Sequence, residues 1–211
     1  MRTKLTFPAF YLCLLSAAIL GTIYLAWLSF PLEIAWQNLP SSASRIMKNM
    51  NVLMDYLTNP FRRVLDMPDY PSSPQGLHHF ESVKYLFHLT QLVFVISLPG
   101  AWDFSKKVLA KGYGRLFAKP IAWLMALPLI IGGVVTLVGF DTFFVIFHQL
   151  LFVGDQTWLF DPANDPVIMI LPESFFLHCF ILFLCLYELF LGIVYVFMRK
   201  GNVNESKTKI D

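Results

Sequence analysis

The stretch FPAFYLCLLSAAILGTIYLAWLSFPL, running from Phe7 to Leu32, carries no charged side chain. A helix needs about 20 mostly apolar residues to cross a hydrocarbon core of about 30 Å, so this segment suffices for one span. It is also too long for the apolar region of a cleaved signal peptide, about 7–15 residues. The rest of the chain has the same character. Of 211 residues, 56% are hydrophobic and 14% charged, and 21 are phenylalanine. Ordinary soluble domains carry about 25% charged residues. An all-α membrane protein forming a single polytopic domain over residues 1–211 is the expectation.

Three further spans follow. Tyr85 to Trp102 is shorter and holds His88 and Gln91. The third begins at Pro120, a good first-turn residue, and stays apolar to Gly139. It then continues through Phe140-Asp141-Thr142 to His148, which predicts one unbroken helix rising into the interface. The fourth runs from Phe175 to Met198 and stops at Arg199-Lys200. Spans at approximately 7–32, 85–102, 120–148 and 175–198 place both termini on one side.

Charge chooses that side. The termini and the Asp103–Lys119 connection hold Arg2, Lys4, Lys106, Lys107, Lys111, Arg115, Lys119, Arg199, Lys200, Lys207 and Lys209, with only Asp103, Glu205 and Asp211 as acids. On the opposite face acids outnumber Arg45, Lys48, Arg62, Arg63 and Lys84. Cytoplasmic loops are the basic ones, so both termini are expected in the cytoplasm. The regions 33–84 and 153–174 then form a small extracytoplasmic cap. The first opens on turn material, Asn38-Leu39-Pro40-Ser41-Ser42. A helix is predicted from Ala43 to Leu57, because Ile46, Met50, Leu53 and Leu57 recur at helical spacing. A proline-rich stretch, Pro68 to Pro74, leads to His78-His79. The tail after Gly201 reads as frayed.

Cys13, Cys179 and Cys185 all lie in apolar runs, outside any CxxC pair. They read as small buried hydrophobes, with neither a disulfide framework nor a thiolate metal site. Glu188, near the middle of the fourth span, is expected to pair with a polar group inside the bundle.

Chemistry concentrates at the outer boundary. His78, His79 and His148 all fall there, followed by Asp155, Trp158, Asp161 and Asp165. Ionisable groups at membrane depth are rare and usually face a cavity or pathway. An imidazole takes and returns a proton near neutrality, so two of them with carboxylates to fix their tautomers suit acyl-group chemistry on a lipid. Asp155 or Asp161 is the candidate to orient His148. No GxSxG occurs, and Ser174 sits between Glu173 and Phe175, so no protein nucleophile suggests itself. Other roles stay open. Asp161-Pro162-Ala163-Asn164-Asp165 is also turn chemistry, Trp158 is also an interfacial anchor, and Lys84 either snorkels or meets a lipid phosphate or oxyanion. A metal held by His79, His148 and an aspartate lacks any HExxH-like spacing.

Asn49-Met50-Asn51-Val52-Leu53-Met54-Asp55-Tyr56-Leu57, His79-Phe80-Glu81-Ser82-Val83-Lys84 and the stretch from His148 to Phe176 resemble the bacterial integral membrane family of lipoprotein intramolecular transacylases (Lit). The likeness covers essentially the whole chain, and the His148–Asp165 motif is its specific part. Two positions depart from it: Ser82 stands where an aspartate is expected, and Met50 where a tyrosine is. The resemblance implies a membrane acyltransferase acting on diacylglyceryl-modified bacterial lipoproteins at the outer face of the cytoplasmic membrane. It implies transfer of the sn-2 acyl chain to the α-amino group of the amino-terminal cysteine, giving a lyso-form lipoprotein. It maps the catalytic pair onto His79 and His148, with Asn51, Tyr56, Lys84, Asp155, Trp158, Asp161 and Asp165 in support. No cofactor and no metal are expected, and membrane lipids rather than nucleic acid are the surroundings. Two competitors remain, a non-enzymatic scaffold or transport component and a metal-dependent lipid hydrolase. Against a carrier stand the nearly polar-free first and third segments and the lack of internal repeats.

Overall fold

The computed structural model describes residues 2–37 and 41–200. Residues 38–40 of the predicted turn and the hydrophilic tail from 201 onward lie outside them. The helices are α1 (Arg2–Gln37), α2 (Ala43–Thr58), α3 (Pro74–Phe104), α4 (Arg115–Val138), α5 (Phe140–Leu151) and α6 (Glu173–Lys200). One π turn extends α3 over Ser105–Leu109, and one 3-10 turn covers Pro166–Met169. Among the described residues, four segments are long and apolar enough to cross a membrane, Thr6–Trp36, Pro74–Leu109, Arg115–Val138 and Glu173–Arg199.

Two sequence expectations about helices need correction. The third apolar run is two helices, because Gly139 adopts φ +89° between α4 and α5. That is a left-handed conformation natural only to glycine. The second span does not begin at Tyr85 either. Pro74 supplies a preset first turn, and α3 therefore carries His78, His79 and Lys84 on its own first turns instead of leaving them in a loop.

The chain divides into two compact units. The first comprises Met1–Gly21, Gln91–Val134 and Leu182–Asp211. Its centre is aromatic: Phe104 packs against Phe10 at 4.7 Å and Phe117 at 5.0 Å, and Phe7 stacks on Phe117 at 4.9 Å. Around them Ala18, Ile121, Leu191 and Met198 are buried. One polar chain crosses this core. Pro128 has no N–H to give the carbonyl of Leu124, four residues back. The Tyr187 hydroxyl donates to that carbonyl instead, at 3.0 Å. Its single proton being spent, Tyr187 accepts from Tyr11 at 3.0 Å. Glu188 does not find the partner expected of it: among the described residues its Oε1 is buried without a hydrogen bond. Nor are all the cysteines enclosed. Cys13 is buried, Cys179 half-buried and Cys185 exposed, and all are free thiols.

The second unit, Thr22–Thr90 and Val135–Ile181, holds the cap and the site. In α2, Ile46, Met50, Leu53 and Leu57 are buried along one face, as their spacing predicts. The proline-rich segment is fastened to that helix through Asn49, which is fully buried. Asn49 donates to Asp69 Oδ2 at 2.8 Å and accepts from the Asp69 backbone N–H at 3.1 Å. Asp165, only 3% exposed, closes the other side. It accepts from the Ser73 backbone N–H at 2.8 Å and from the Ser73 hydroxyl at 2.7 Å. Gly76 makes room for it, since a Cβ there would stand 2.1 Å from Asp165 Oδ1.

Candidate active site

Within the second unit, α1, α2, α3, α5, α6 and the 152–171 loop enclose a cavity of about 350 Å³. Its walls are aliphatic and aromatic, among them Met50, Leu53, Phe87, Phe147 and Phe180, and two histidines open onto it, His79 from α3 and His148 from α5. Their ring centroids are 5.9 Å apart. A cavity with walls of this kind accepts apolar chains.

The two imidazoles are held differently. His148 Nδ1 lies 2.8 Å from the Phe144 carbonyl, one turn back on the same helix. A carbonyl only accepts, so in the neutral ring Nδ1 carries the proton and Nε2 keeps a bare lone pair. His79 is 8% exposed, with Phe152 and Phe160 meeting its ring edge to face at 4.9 and 5.5 Å. Its Nδ1 is buried and has no hydrogen-bond partner among the described residues. One ring therefore has its tautomer fixed by the backbone, and the other keeps an unspent polar atom inside the cavity wall.

The aspartates stand elsewhere than the sequence suggested. Neither Asp155 nor Asp161 orients His148, because the Phe144 carbonyl has taken that position. Asp155 accepts from the Thr157 backbone N–H at 2.8 Å and faces His78 Nε2 at 3.4 Å. Those donors, the Thr157 backbone N–H foremost, hold its carboxyl below the usual carboxylate range. Asp161 closes its own turn, accepting from Ala163 N–H and the Asn164 side chain at 3.0 and 2.7 Å. Asp165 is the clamp to Ser73 described above. Trp158 stacks on His148 with centroids 4.9 Å apart and 28° between planes. Its Nε1–H donates to the Asp155 carbonyl at 3.2 Å.

The remaining candidates lie around the cap. Asn51 accepts from Trp27 Nε1 at 2.8 Å, joining α2 to α1. Lys84, buried, places its ammonium 4.2 Å from the Tyr56 ring centroid and donates to the Arg62 carbonyl. Lys84 is thus occupied by the cap itself. Sequence reasoning missed the contact between Glu33 and His178, whose Oε1 and Nδ1 are 2.6 Å apart. It joins α1 to α6, and a separation of 145 residues left no signal in the sequence. Among the described residues, no group of three or more His, Cys, Asp or Glu side chains is placed to hold a metal ion.

Among the described residues, four helices fit to cross a membrane and an apolar cavity onto which two histidines open define a multi-pass membrane protein with an apolar pocket. The chain belongs to the lipoprotein intramolecular transacylase family, Lit, whose model matches residues 4–176. It is therefore a membrane acyltransferase. The membrane integral lipoprotein intramolecular transacylase Lit from Bacillus cereus, in its in meso structure, superposes with a TM-score of 0.86 at 25% identity, covering 100% of this chain and 97% of that one. Two variants of the same protein, with one histidine replaced by arginine or by alanine, superpose at TM-scores of 0.79 and 0.77. Both are 25% identical, covering 99% and 100% of this chain and 93% and 94% of theirs. No curated protein matches by sequence.

Proposed function

We propose that the cavity is the catalytic chamber and that it moves the sn-2 acyl chain of a diacylglyceryl lipoprotein to the α-amino group of its amino-terminal cysteine. The observation that carries this reading is the histidine pair, 5.9 Å apart between ring centroids and opening onto an apolar chamber. His148, with Nε2 bare, takes a proton from the substrate amine. The amine nitrogen attacks the sn-2 ester carbonyl, and the carbon–oxygen bond to glycerol breaks. The proton gained by His148 is passed on by way of His79 to the departing glycerol oxygen, so both rings end the cycle as they began it. Ester becomes amide, a downhill exchange, so the step needs neither ATP nor a cofactor.

No protein nucleophile is required, because donor and acceptor are parts of one bound molecule. Holding them together makes the step effectively unimolecular, worth about 7–11 kcal/mol of barrier. Proton transfer by positioned imidazoles contributes roughly two to four orders of magnitude more. The acyl chains lie among the phenylalanines. The excess of Lys and Arg on the terminal side supports both termini in the cytoplasm and the chamber at the extracytoplasmic face of a bacterial cytoplasmic membrane.

The test is mass spectrometry of a lipoprotein's amino-terminal tryptic lipopeptide from cells with and without this protein. The expected result is an unchanged mass with fragmentation showing one acyl chain relocated from glycerol to nitrogen only when the protein is present. No relocation with the protein well expressed would overturn the reading.

A further inference from the structure

The wall around His148 is not uniform. Phe147 meets the imidazole nearly edge-on, 5.6 Å away at 82°, and Phe144 is tilted by 48° at 4.2 Å. Trp158 at 28° and Phe152 at 32° lie nearer to parallel, and Trp158 is the closer of the two, 4.9 Å against 5.9 Å between centroids. Its polar edge is already committed to the Asp155 carbonyl, and Asp155 is itself held by its turn to Thr157. What the indole presents to His148 is its π face. Tryptophan has the best face for a cation among the aromatic side chains, and the attraction grows when the pair is desolvated.

His148 becomes that cation during the reaction. Its Nδ1 already carries a proton, so when Nε2 takes the one released by the amine the ring is an imidazolium. The groups facing it are His79 from α3, 5.9 Å away between centroids, and the aromatic side chains of Phe144, Phe147, Phe152 and Trp158. The His78–Asp155 contact lies beyond, with Asp155 in the turn that anchors the indole. We infer that Trp158 is a positioning residue for His148, laying an indole face against the imidazole so that the charge formed on proton transfer is stabilised there. The inference rests on the reading of His148 as base. In that step the amine gives up its proton to the Nε2 lone pair and the nitrogen lone pair bonds the carbonyl carbon. The carbonyl π pair moves onto oxygen and returns as the bond to glycerol breaks, leaving that pair on the glycerol oxygen, which is protonated.

The test uses the full chain in lipid nanodiscs with a synthetic diacylglyceryl lipopeptide. Single-turnover rates are followed across roughly pH 5–9, the range in which an imidazole titrates. In Trp158→Leu the imidazolium loses its partner, so His148 holds its proton less tightly. The plateau rate is expected to fall about 5–30-fold, with the acid limb displaced to lower pH by about one unit. Trp158→Phe keeps a weaker face and should lie between the two, which covers the case in which the leucine variant fails to fold. A lowered plateau with acid limbs coinciding in all three proteins overturns the inference, leaving Trp158 a wall. His148→Ala is run alongside: full activity there sinks the reading of His148 as base itself, independently of what the Trp158 variants do.

Discussion

Asp165 and Ser73, 92 positions apart, are joined by two hydrogen bonds that fasten the 152–171 loop to the start of α3. Since α3 carries His79 two turns later, this clamp fixes where one of the two histidines begins. Asp165→Ala leaves the N–H and hydroxyl of the half-buried Ser73 without their acceptor. The expected cost is about 1–3 kcal/mol, more than loss of an average hydrogen bond. The melting temperature of the purified protein should fall, and lyso-form production should fall with it. Unchanged melting would show that the clamp carries no stability. Gly76→Ala should do comparable damage, because its methyl would meet the same carboxylate.

Tyr187 stands in for the N–H that Pro128 lacks. Tyr187→Phe should destabilise the first unit by about 1 kcal/mol. In a Pro128→Ala background residue 128 regains its own N–H for the Leu124 carbonyl, so the tyrosine should matter less. A double-mutant cycle measured by denaturation reads this directly. Strictly additive effects would refute the substitution of one donor for the other.

Loss of either imidazole should stop acyl relocation by a predictable amount. His148→Ala removes the Nε2 lone pair that the bond between Nδ1 and the Phe144 carbonyl leaves free, and a fall of roughly 10²–10⁴-fold in transfer rate is expected. His79→Ala should lose a comparable factor if leaving-group protonation limits the step. Both variants should remain folded, judged by gel filtration and melting. Near-normal lyso-form production in either would remove that residue from the chemistry.

Asp155 and Asp55 give acid sensitivity of one sign. The Asp155 carboxyl is lowered first by the Thr157 backbone N–H, and that of Asp55 first by the Asn59 side chain and then Arg62. A carboxylate held below its unfolded value adds stability above the ordinary value of about 3.9. That contribution disappears as pH drops through the folded value. The share of thermal stability these two carboxylates supply should therefore hold level above about pH 5 and decline below it, so the acid slope should be less steep in Asp155→Asn and Asp55→Asn. Identical acid slopes in wild type and both variants would contradict this.

The spans were legible because twenty-residue apolar runs have few other uses, and the resemblance carried the histidine pair. The amphipathic spacing of Ile46, Met50, Leu53 and Leu57 likewise announced α2 almost to the residue. The break at Gly139 was hidden, since a glycine inside an apolar run reads equally well as helix. The start of α3 was misread for the opposite reason: Pro74 and Gly76 look like turn residues, yet one begins the helix and the other admits a neighbouring carboxylate. The aspartates show the limit of residue type as a guide. Asp155, Asp161 and Asp165 lie within eleven positions, and each has a different employment, which only long-range partners such as Ser73 and His78 reveal.

The tautomer of His148 is set by a main-chain carbonyl one turn earlier, not by a side chain. Every residue type at position 144 that keeps α5 helical offers the same acceptor. The proposed base is thus insulated from substitution: the cavity's walls can be repainted while the lone pair at Nε2 stays available as before.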